Sequence, residues 1–258
     1  MNRVTEVSKG LPSRRMGKMP SKTENYIRRK LRTVRPMFCY MIAYLIGFSL
    51  IENWNRLQYT VIHTGIDDMI PFVPVFVIPY ILWFPYIAGA CLFLLLKDEK
   101  AYHQLCTSLA IGMTVFIVVS VFFPNIHLMR PETMPAENIF TRMIGMLYLA
   151  DTPTNLTPSI HVFNSLAVIA AFWKWDWRTE NGVAYTAGFR RFWKTVITVL
   201  GLLITLSTML IKQHSFSDVV IATVLFLFTY ILVYRFDFLL VGGIRRRRPA
   251  LRPHSARS

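Results

Sequence analysis

Apolar and polar positions alternate in long blocks along this chain. Six mostly apolar runs are separated by segments that hold most of the charged residues and many of the prolines. A helix needs about 20 such residues to cross the hydrocarbon core of a bilayer, within a range of about 17 to 25. The runs therefore predict an all-α, polytopic bundle of six transmembrane helices, over 37–51, 74–96, 105–123, 159–175, 192–211 and 217–241.

The segments between the runs carry weaker signals. The first run is short, so it must tilt or borrow flanking residues to span a bilayer. Pro79 and Pro85 lie inside the second run and predict a kink there. Residues 52–73 have interfacial character, and the longest connection, 125–158, contains an amphipathic piece over 138–149.

Composition supports a membrane protein. Of 258 residues, 53% are hydrophobic and 17% are charged, whereas soluble domains carry about 25% charged residues. The mean hydropathy is +0.40. We predict one membrane domain over 37–241 between two basic tails, 1–36 and 242–258.

The net charge of +15 comes from 29 Lys and Arg against 14 Asp and Glu. Eleven of these cations lie in residues 1–35, and four form the run Arg245 to Arg248. Cationic residues concentrate on the cytoplasmic side of membrane proteins, so both termini are predicted to be cytoplasmic. Basic tails beside membrane spans are typical of binding to anionic lipids. Nucleic-acid binding would instead require the basic residues on a folded face, so it is not expected here. Residues 1–35 contain no early apolar core of a secretory signal.

Several ionisable residues lie at the ends of the apolar runs. His214 and Asp218 are four residues apart, which places both on one face if a helix begins near His214. Ionisable groups in such places are expensive to hold and are functional candidates. The predicted topology places Arg130, the segment 157–161 and the segment 207–218 at the same, non-cytoplasmic face.

These segments resemble the motifs of the type 2 phosphatidic acid phosphatase superfamily. Arg130-Pro131 is similar to the end of its first motif, KxxxxxxRP, and Pro158-Ser159-Ile160-His161 looks like its PSGH-type second motif. Ser207, His214 and Asp218 are similar to the third, SRxxxxxHxxxD. The six-span plan and the motif order agree with that family over roughly residues 37–241.

The chain departs from the family pattern at two cations. Phe123 stands where the first motif has Lys, and Thr208 stands where the third has Arg. Lys212 can supply part of the missing charge. The KQHSxxD form of the third motif also resembles the branch that includes sphingomyelin and inositol-phosphorylceramide synthases, which transfer a phospho-headgroup to a lipid alcohol.

The residues and the resemblance together predict a phosphoryl-transfer site. Neutral His214 would attack phosphorus and form a phosphohistidine, and Asp218 would orient its ring. His161 would protonate the leaving alkoxide and then deprotonate the acceptor. No metal and no cofactor is predicted. The residues expected to bind the substrate phosphate are Arg130, Ser159, Lys212 and Ser207.

The expected function is therefore a membrane lipid phosphatase that hydrolyses a lipid phosphate monoester or pyrophosphate at the non-cytoplasmic face of a bacterial plasma membrane. Its expected partner is the lipid phosphate substrate. One alternative is a lipid phosphotransferase with a lipid alcohol as acceptor. Another is a non-catalytic lipid-binding or transport protein, which the loss of two motif cations keeps open. His63, His103 and His127 are interpreted as ordinary hydrogen-bonded polar residues.

Overall fold

The computed structural model describes residues 22–54, 58–178 and 182–240. Most of both predicted tails, and hence their predicted binding to anionic lipids, lies outside these residues. The α-helices of the described chain are α1 (Lys22–Glu52), α2 (Gly65–Met69), α3 (Val77–Ile81), α4 (Trp83–Lys97), α5 (Glu99–Phe122), α6 (Ile139–Ala150), α7 (Ile160–Lys174), α8 (Ala187–Leu210) and α9 (Phe216–Tyr230). A 3-10 turn, Pro74–Phe76, precedes α3, and a π-helical turn, Ile231–Arg235, continues α9.

The structure is mostly helical, as predicted. Five of its helical segments are long and apolar enough to cross a membrane, so the chain is a multi-pass membrane protein. They are Thr23–Glu52, Pro74–Lys97, Glu99–Phe122, Ala187–Leu210 and Phe216–Arg235. The predicted fourth span corresponds to α7, which is apolar but shorter, with 15 residues.

The first helix begins earlier than predicted, because α1 runs without interruption through Pro36. The predicted boundary between tail and membrane domain at residue 36 therefore falls inside a helix. Tertiary contacts stabilise the extension: the Lys30 ammonium donates to the Leu95 carbonyl oxygen at 2.7 Å and lies 3.2 Å from the Glu99 carboxylate.

The kink predicted in the second run coincides with an interruption of the helix. The helix is interrupted at Leu82, between α3 and α4. Pro85 follows three residues later, and its missing N–H removes one backbone hydrogen bond at this point. The amphipathic piece predicted over 138–149 is confirmed, as α6.

Helix α7 lies at the centre of the bundle, where it packs against α5, α8 and α9. Its contact with α5 depends on Gly112, because a Cβ at that position would lie 2.2 Å from ring atoms of Phe163. Phe163 is buried two residues after His161. The α5–α7 contact therefore fixes the start of α7, where His161 lies.

A short parallel strand pair, which the all-α prediction lacks, joins the connections at one end of the bundle. Strand β1 (Thr60–Val61) pairs with β2 (Asn125–Ile126), and Ile126 also bridges to Thr154. The Asn125 side-chain oxygen accepts the backbone N–H groups of Leu156, at 2.7 Å, and Thr157, at 3.2 Å. These bonds hold the segment that enters α7 in place.

Candidate active site

The two predicted catalytic histidines lie side by side in the structure. His161 is in the first turn of α7, and His214 is in the tight turn between α8 and α9. Their ring centroids are 5.6 Å apart, and the ring planes are inclined by 57°. The backbone N–H of His214 donates to the Thr208 carbonyl oxygen at 3.0 Å, which closes the turn. The chain thus brings together two imidazoles that are separated by more than 50 residues in sequence.

Asp218 stands behind His214, as the four-residue spacing predicted. Its Oδ2 lies 3.4 Å from His214 Nδ1 and also accepts the N–H of Ser215 at 2.9 Å. Its other oxygen accepts the hydroxyl of Thr157. The carboxylate is fully buried, so these contacts fix its position. With Nδ1 facing Asp218, Nε2 of His214 is the nitrogen free to act as a nucleophile.

The residues around His161 are aromatic. Tyr80 stacks on the imidazole with 4.5 Å between ring centroids, and Trp83 lies at 4.4 Å, tilted by 44°. Among the described residues, neither ring nitrogen of His161 has a hydrogen-bond partner. Both aromatic residues come from the interrupted second span, and no sequence pattern indicated that they face this histidine. The ring is therefore held by packing, and its buried Nδ1 has no hydrogen-bond partner among the described residues.

Arg130, the predicted phosphate-binding cation, lies beside the turn that contains His214. Its Nη2 donates to the Gln213 side-chain oxygen at 2.6 Å, and its Nη1 donates to the Tyr148 carbonyl oxygen at 3.3 Å. The guanidinium carbon lies 4.3 Å from the centroid of the Tyr148 ring. Its buried Nε has no partner within the described chain. Because Gln213 directly precedes His214, this bond ties the guanidinium to the turn that carries His214.

Asp151 is a site residue that the sequence reasoning missed. It ends α6, and burial raises the pKa of its carboxyl, while the charges of His214 and Arg130 oppose that shift. Glu52, at the end of α1, interacts electrostatically with Asp151 and Arg130 and accepts the Thr152 hydroxyl at 2.5 Å. The sequence feature that could have indicated Asp151 is its position directly after the amphipathic helix α6. Two carboxylates therefore accompany the single guanidinium.

Ser159 and Ser207 are placed differently. Ser159 is the N-cap of α7, where its Oγ accepts the Val162 N–H at 3.4 Å. Its hydroxyl hydrogen remains available, beside a helix N-terminus that favours anions. Ser207 is buried within α8, and its hydroxyl donates to the Ile204 carbonyl oxygen at 2.6 Å. Its donor is therefore engaged inside the helix.

Lys212 does not join the two histidines. Its ammonium donates to the carbonyl oxygens of Asp67, at 2.8 Å, and Ile70, at 2.6 Å. Burial lowers the pKa of this lysine, and the carboxylates of Asp67 and Asp68 oppose the shift. Its backbone adopts a left-handed conformation, with φ of 53°. The lysine thus ties the turn to the α2 segment and is not presented to a phosphate at the histidines.

His127 also contacts the turn, and its interpretation as a hydrogen-bonded polar residue is confirmed. Its Nδ1 accepts the Met129 N–H at 3.3 Å, so the neutral ring carries its proton on Nε2 and donates to the Gln213 carbonyl oxygen at 3.1 Å. Burial lowers the pKa of His127 to about 4, and the charges of His214 and Arg130 add to this effect.

No family model, curated protein or solved structure matches the chain. Within residues 22–54, 58–178 and 182–240, no group of three or more His, Cys, Asp or Glu is arranged to hold a metal ion. The functional assignment therefore rests on the geometry of the site and on the sequence motifs.

Proposed function

We propose that the chain is a membrane enzyme that hydrolyses a lipid phosphate through a phosphohistidine on His214. The observation that carries this proposal is the pair of imidazoles with ring centroids 5.6 Å apart, one of them backed by the buried carboxylate of Asp218. Arg130 supports it further, because Gln213 connects this cation to the same turn. A hydrogen-bonded structural histidine pair needs neither an aligned carboxylate nor a buried guanidinium.

In the first step, Nε2 of His214 attacks phosphorus and the bond from phosphorus to the lipid oxygen breaks. His161, which takes up a proton when the phosphate anion binds beside it, gives that proton to the departing alkoxide, which leaves as a lipid alcohol. The carboxylate of Asp218, 3.4 Å from Nδ1, stabilises the positive charge that develops on the ring. In the second step His161 takes a proton from water, the oxygen attacks phosphorus, and the phosphorus–nitrogen bond breaks to release phosphate.

Arg130 and Ser159 are assigned to the phosphate oxygens. A guanidinium forms strong, charge-assisted hydrogen bonds to phosphate, and the N-terminus of α7 adds backbone donors. The donors of Lys212 and Ser207 are engaged by backbone carbonyl groups, so neither residue is included in the proposed phosphate site.

The proposed topology has six spans: the five long apolar helical segments and the shorter helix α7. Its 15 residues are wrapped by other helices, which lets a short helix lie at the centre of the bundle. The excess of Lys and Arg in both tails favours cytoplasmic termini and a site at the opposite face. On this proposal the protein lies in a bacterial plasma membrane, and its tails contact anionic lipids.

The second candidate function is transfer of a phospho-headgroup to a lipid alcohol. The charges around Arg130 favour the phosphodiester substrate that this reaction uses. A phosphate monoester presents up to two negative charges, but Arg130 is accompanied by the carboxylates of Asp151 and Glu52. A phosphodiester carries one negative charge, and a cationic or hydroxyl-bearing headgroup would match the two carboxylates. The chemistry at His214 and His161 is the same, with a lipid hydroxyl in place of water.

Lipid turnover by the purified protein in mixed micelles tests both candidates. For the phosphatase, phosphatidate releases inorganic phosphate in the presence of a metal chelator, and His214→Ala and His161→Ala each abolish the release. The control is His63→Ala, which alters an exposed histidine paired with Asp68. For the transferase, a zwitterionic phosphodiester yields a new phospholipid only when a lipid alcohol is added. Folded protein that does neither contradicts both candidates.

A further inference from the structure

The segment that contains α2 lies against the turn that carries His214. Asp67, in α2, is buried with 2% of its surface exposed. Its Oδ2 accepts the N–H and the hydroxyl of Thr64, both at 2.8 Å, and the hydroxyl of Ser215 at 2.7 Å. Its Oδ1 accepts the N–H of Phe216 at 2.7 Å. Each carboxylate oxygen thus reaches across 148 or 149 residues of sequence to the start of α9.

The same segment holds the turn on the other side of His214. The Lys212 ammonium donates to the carbonyl oxygens of Asp67 and Ile70. Lys212 lies two residues before His214, and Ser215 lies one residue after it. The chain is therefore tied to the α2 segment on both sides of His214.

Ser215 connects Asp67 to the catalytic carboxylate. Its hydroxyl donates to Asp67, while its backbone N–H donates to Asp218 at 2.9 Å. Asp218 in turn lies 3.4 Å from His214 Nδ1. Any displacement of Ser215 changes the position of His214 relative to Asp218, because the three residues share one turn.

The charge of Asp67 suits this arrangement. Burial alone would raise the pKa of its carboxyl, but the hydrogen bonds from Phe216, Ser215 and Thr64 outweigh burial and lower it. The ionised carboxylate also lies at the N-terminus of α9, where a negative charge is stabilised by the helix dipole. Asp67 therefore remains an acceptor for all four donors at neutral pH.

We infer that Asp67 is a positioning residue for the nucleophile, which acts through Ser215 to hold the His214 ring against Asp218. The inference rests on the proposed role of His214, although the contacts themselves do not depend on it. A displacement of about 1 Å at a reacting group can lower a rate about 100-fold. Asp67 should consequently affect the chemical step and leave substrate affinity unchanged.

The test compares Asp67→Asn with Asp68→Asn, which alters the neighbouring, exposed carboxylate. Two readouts are needed: the rate at which diethyl pyrocarbonate modifies His214, measured by peptide mass spectrometry, and the split between kcat and KM. We expect Asp67→Asn to raise the modification rate severalfold and to lower kcat by about 10- to 100-fold with KM within twofold. Asp68→Asn should change neither.

The modification rate of His103, a buried histidine in α5, reports on general loosening of the fold. An unchanged rate at His214, an equal rise at His103, or a kcat within twofold of wild type overturns the inference. If the wild-type protein turns over no lipid phosphate or phosphodiester, the proposed function fails, and the modification rates still decide the role of Asp67.

Discussion

At the scale of single residues, the site depends on which side chains share hydrogen-bond partners. Asp218 contacts His214, Ser215 and Thr157, and it is fully buried. Gln213 accepts from Arg130 through its side chain and from His127 through its backbone. Arg130 and Asp218 are therefore both hydrogen-bonded to the turn that contains His214, through Gln213 and Ser215, so removal of either side chain disturbs that turn.

Asp218→Asn tests the carboxylate with little change in shape. The amide oxygen can still accept from Ser215, but the negative charge that stabilises a charged His214 ring is lost. We expect kcat to fall by about 100- to 10,000-fold, in the range found for positioned acid–base groups, with the helix content unchanged. The control is Asp237→Asn at an exposed position paired with Lys100, which should leave kcat unchanged. A kcat for Asp218→Asn within threefold of wild type would show that the charge is not needed.

His127 predicts a pH dependence of stability. Its pKa is about 4 in the folded protein, against about 6.5 in an unfolded chain. Its contribution is fully present above pH 6.5, because the ring is then neutral in both states. As the pH falls from 6.5 to 4 the unfolded chain takes up the proton first, so stability is lost, by up to roughly 3 kcal/mol.

His127→Gln removes this titration and keeps a donor for the Gln213 carbonyl oxygen. The thermal midpoint in detergent should therefore fall less steeply between pH 6.5 and 4 in the variant than in the wild type. Parallel curves for the two proteins over that pH range would contradict the assignment.

At the scale of elements, α7 and α9 present the two histidines from their N-terminal ends. Each has a hydroxyl N-cap, Ser159 for α7 and Ser215 for α9, so each helix begins beside its histidine. The depth of His161 depends on how closely α7 approaches α5, which Gly112 permits. The helix starts and one small residue together set the distance between the rings.

Gly112→Ala tests this approach. The added methyl group meets the Phe163 ring, and overpacking of this kind typically costs about 1 to 3 kcal/mol. We expect a lower thermal midpoint, restored in part by Phe163→Leu in the same chain. Gly89→Ala is the matched control, because a Cβ there has no neighbour within 4 Å and helix propensity favours alanine. Equal midpoints for the two alanine variants would be inconsistent with this packing.

At the scale of the whole molecule, connections that are distant in sequence converge at one end of the bundle. Thr60 donates to the Pro124 carbonyl oxygen at 2.9 Å, Asn155 donates to that of Asn125 at 2.6 Å, and Thr157 donates to Asp218. The opposite end is held by charged residues, including Lys30 with Glu99. The candidate site is thus assembled from connecting segments that the helix bundle brings together at one end.

Apolar run length and proline positions were sufficient to predict most of the helices. Motif spacing was sufficient to predict that His161, His214, Asp218 and Arg130 lie near one another. Run length could not place the start of α1, because contacts with Leu95 and Glu99 stabilise its polar extension. The strand pair consists of two residues on each side, too few to give a pattern. Lys212 was predicted to bind the substrate phosphate because it lies two residues before His214. Its backbone is in the left-handed conformation, and sequence distance alone does not determine where its side chain then points.

Detection of the covalent intermediate tests the proposed phosphohistidine on His214 most directly. Purified protein is mixed with a lipid phosphate labelled on phosphorus and quenched in alkali, which preserves phosphohistidine, and the labelled peptide is then sequenced. A phosphohistidine mechanism predicts transient label on His214 in the wild type and none in His214→Ala, which should also lose turnover. Label on another residue, or turnover by His214→Ala at the wild-type rate, would contradict it.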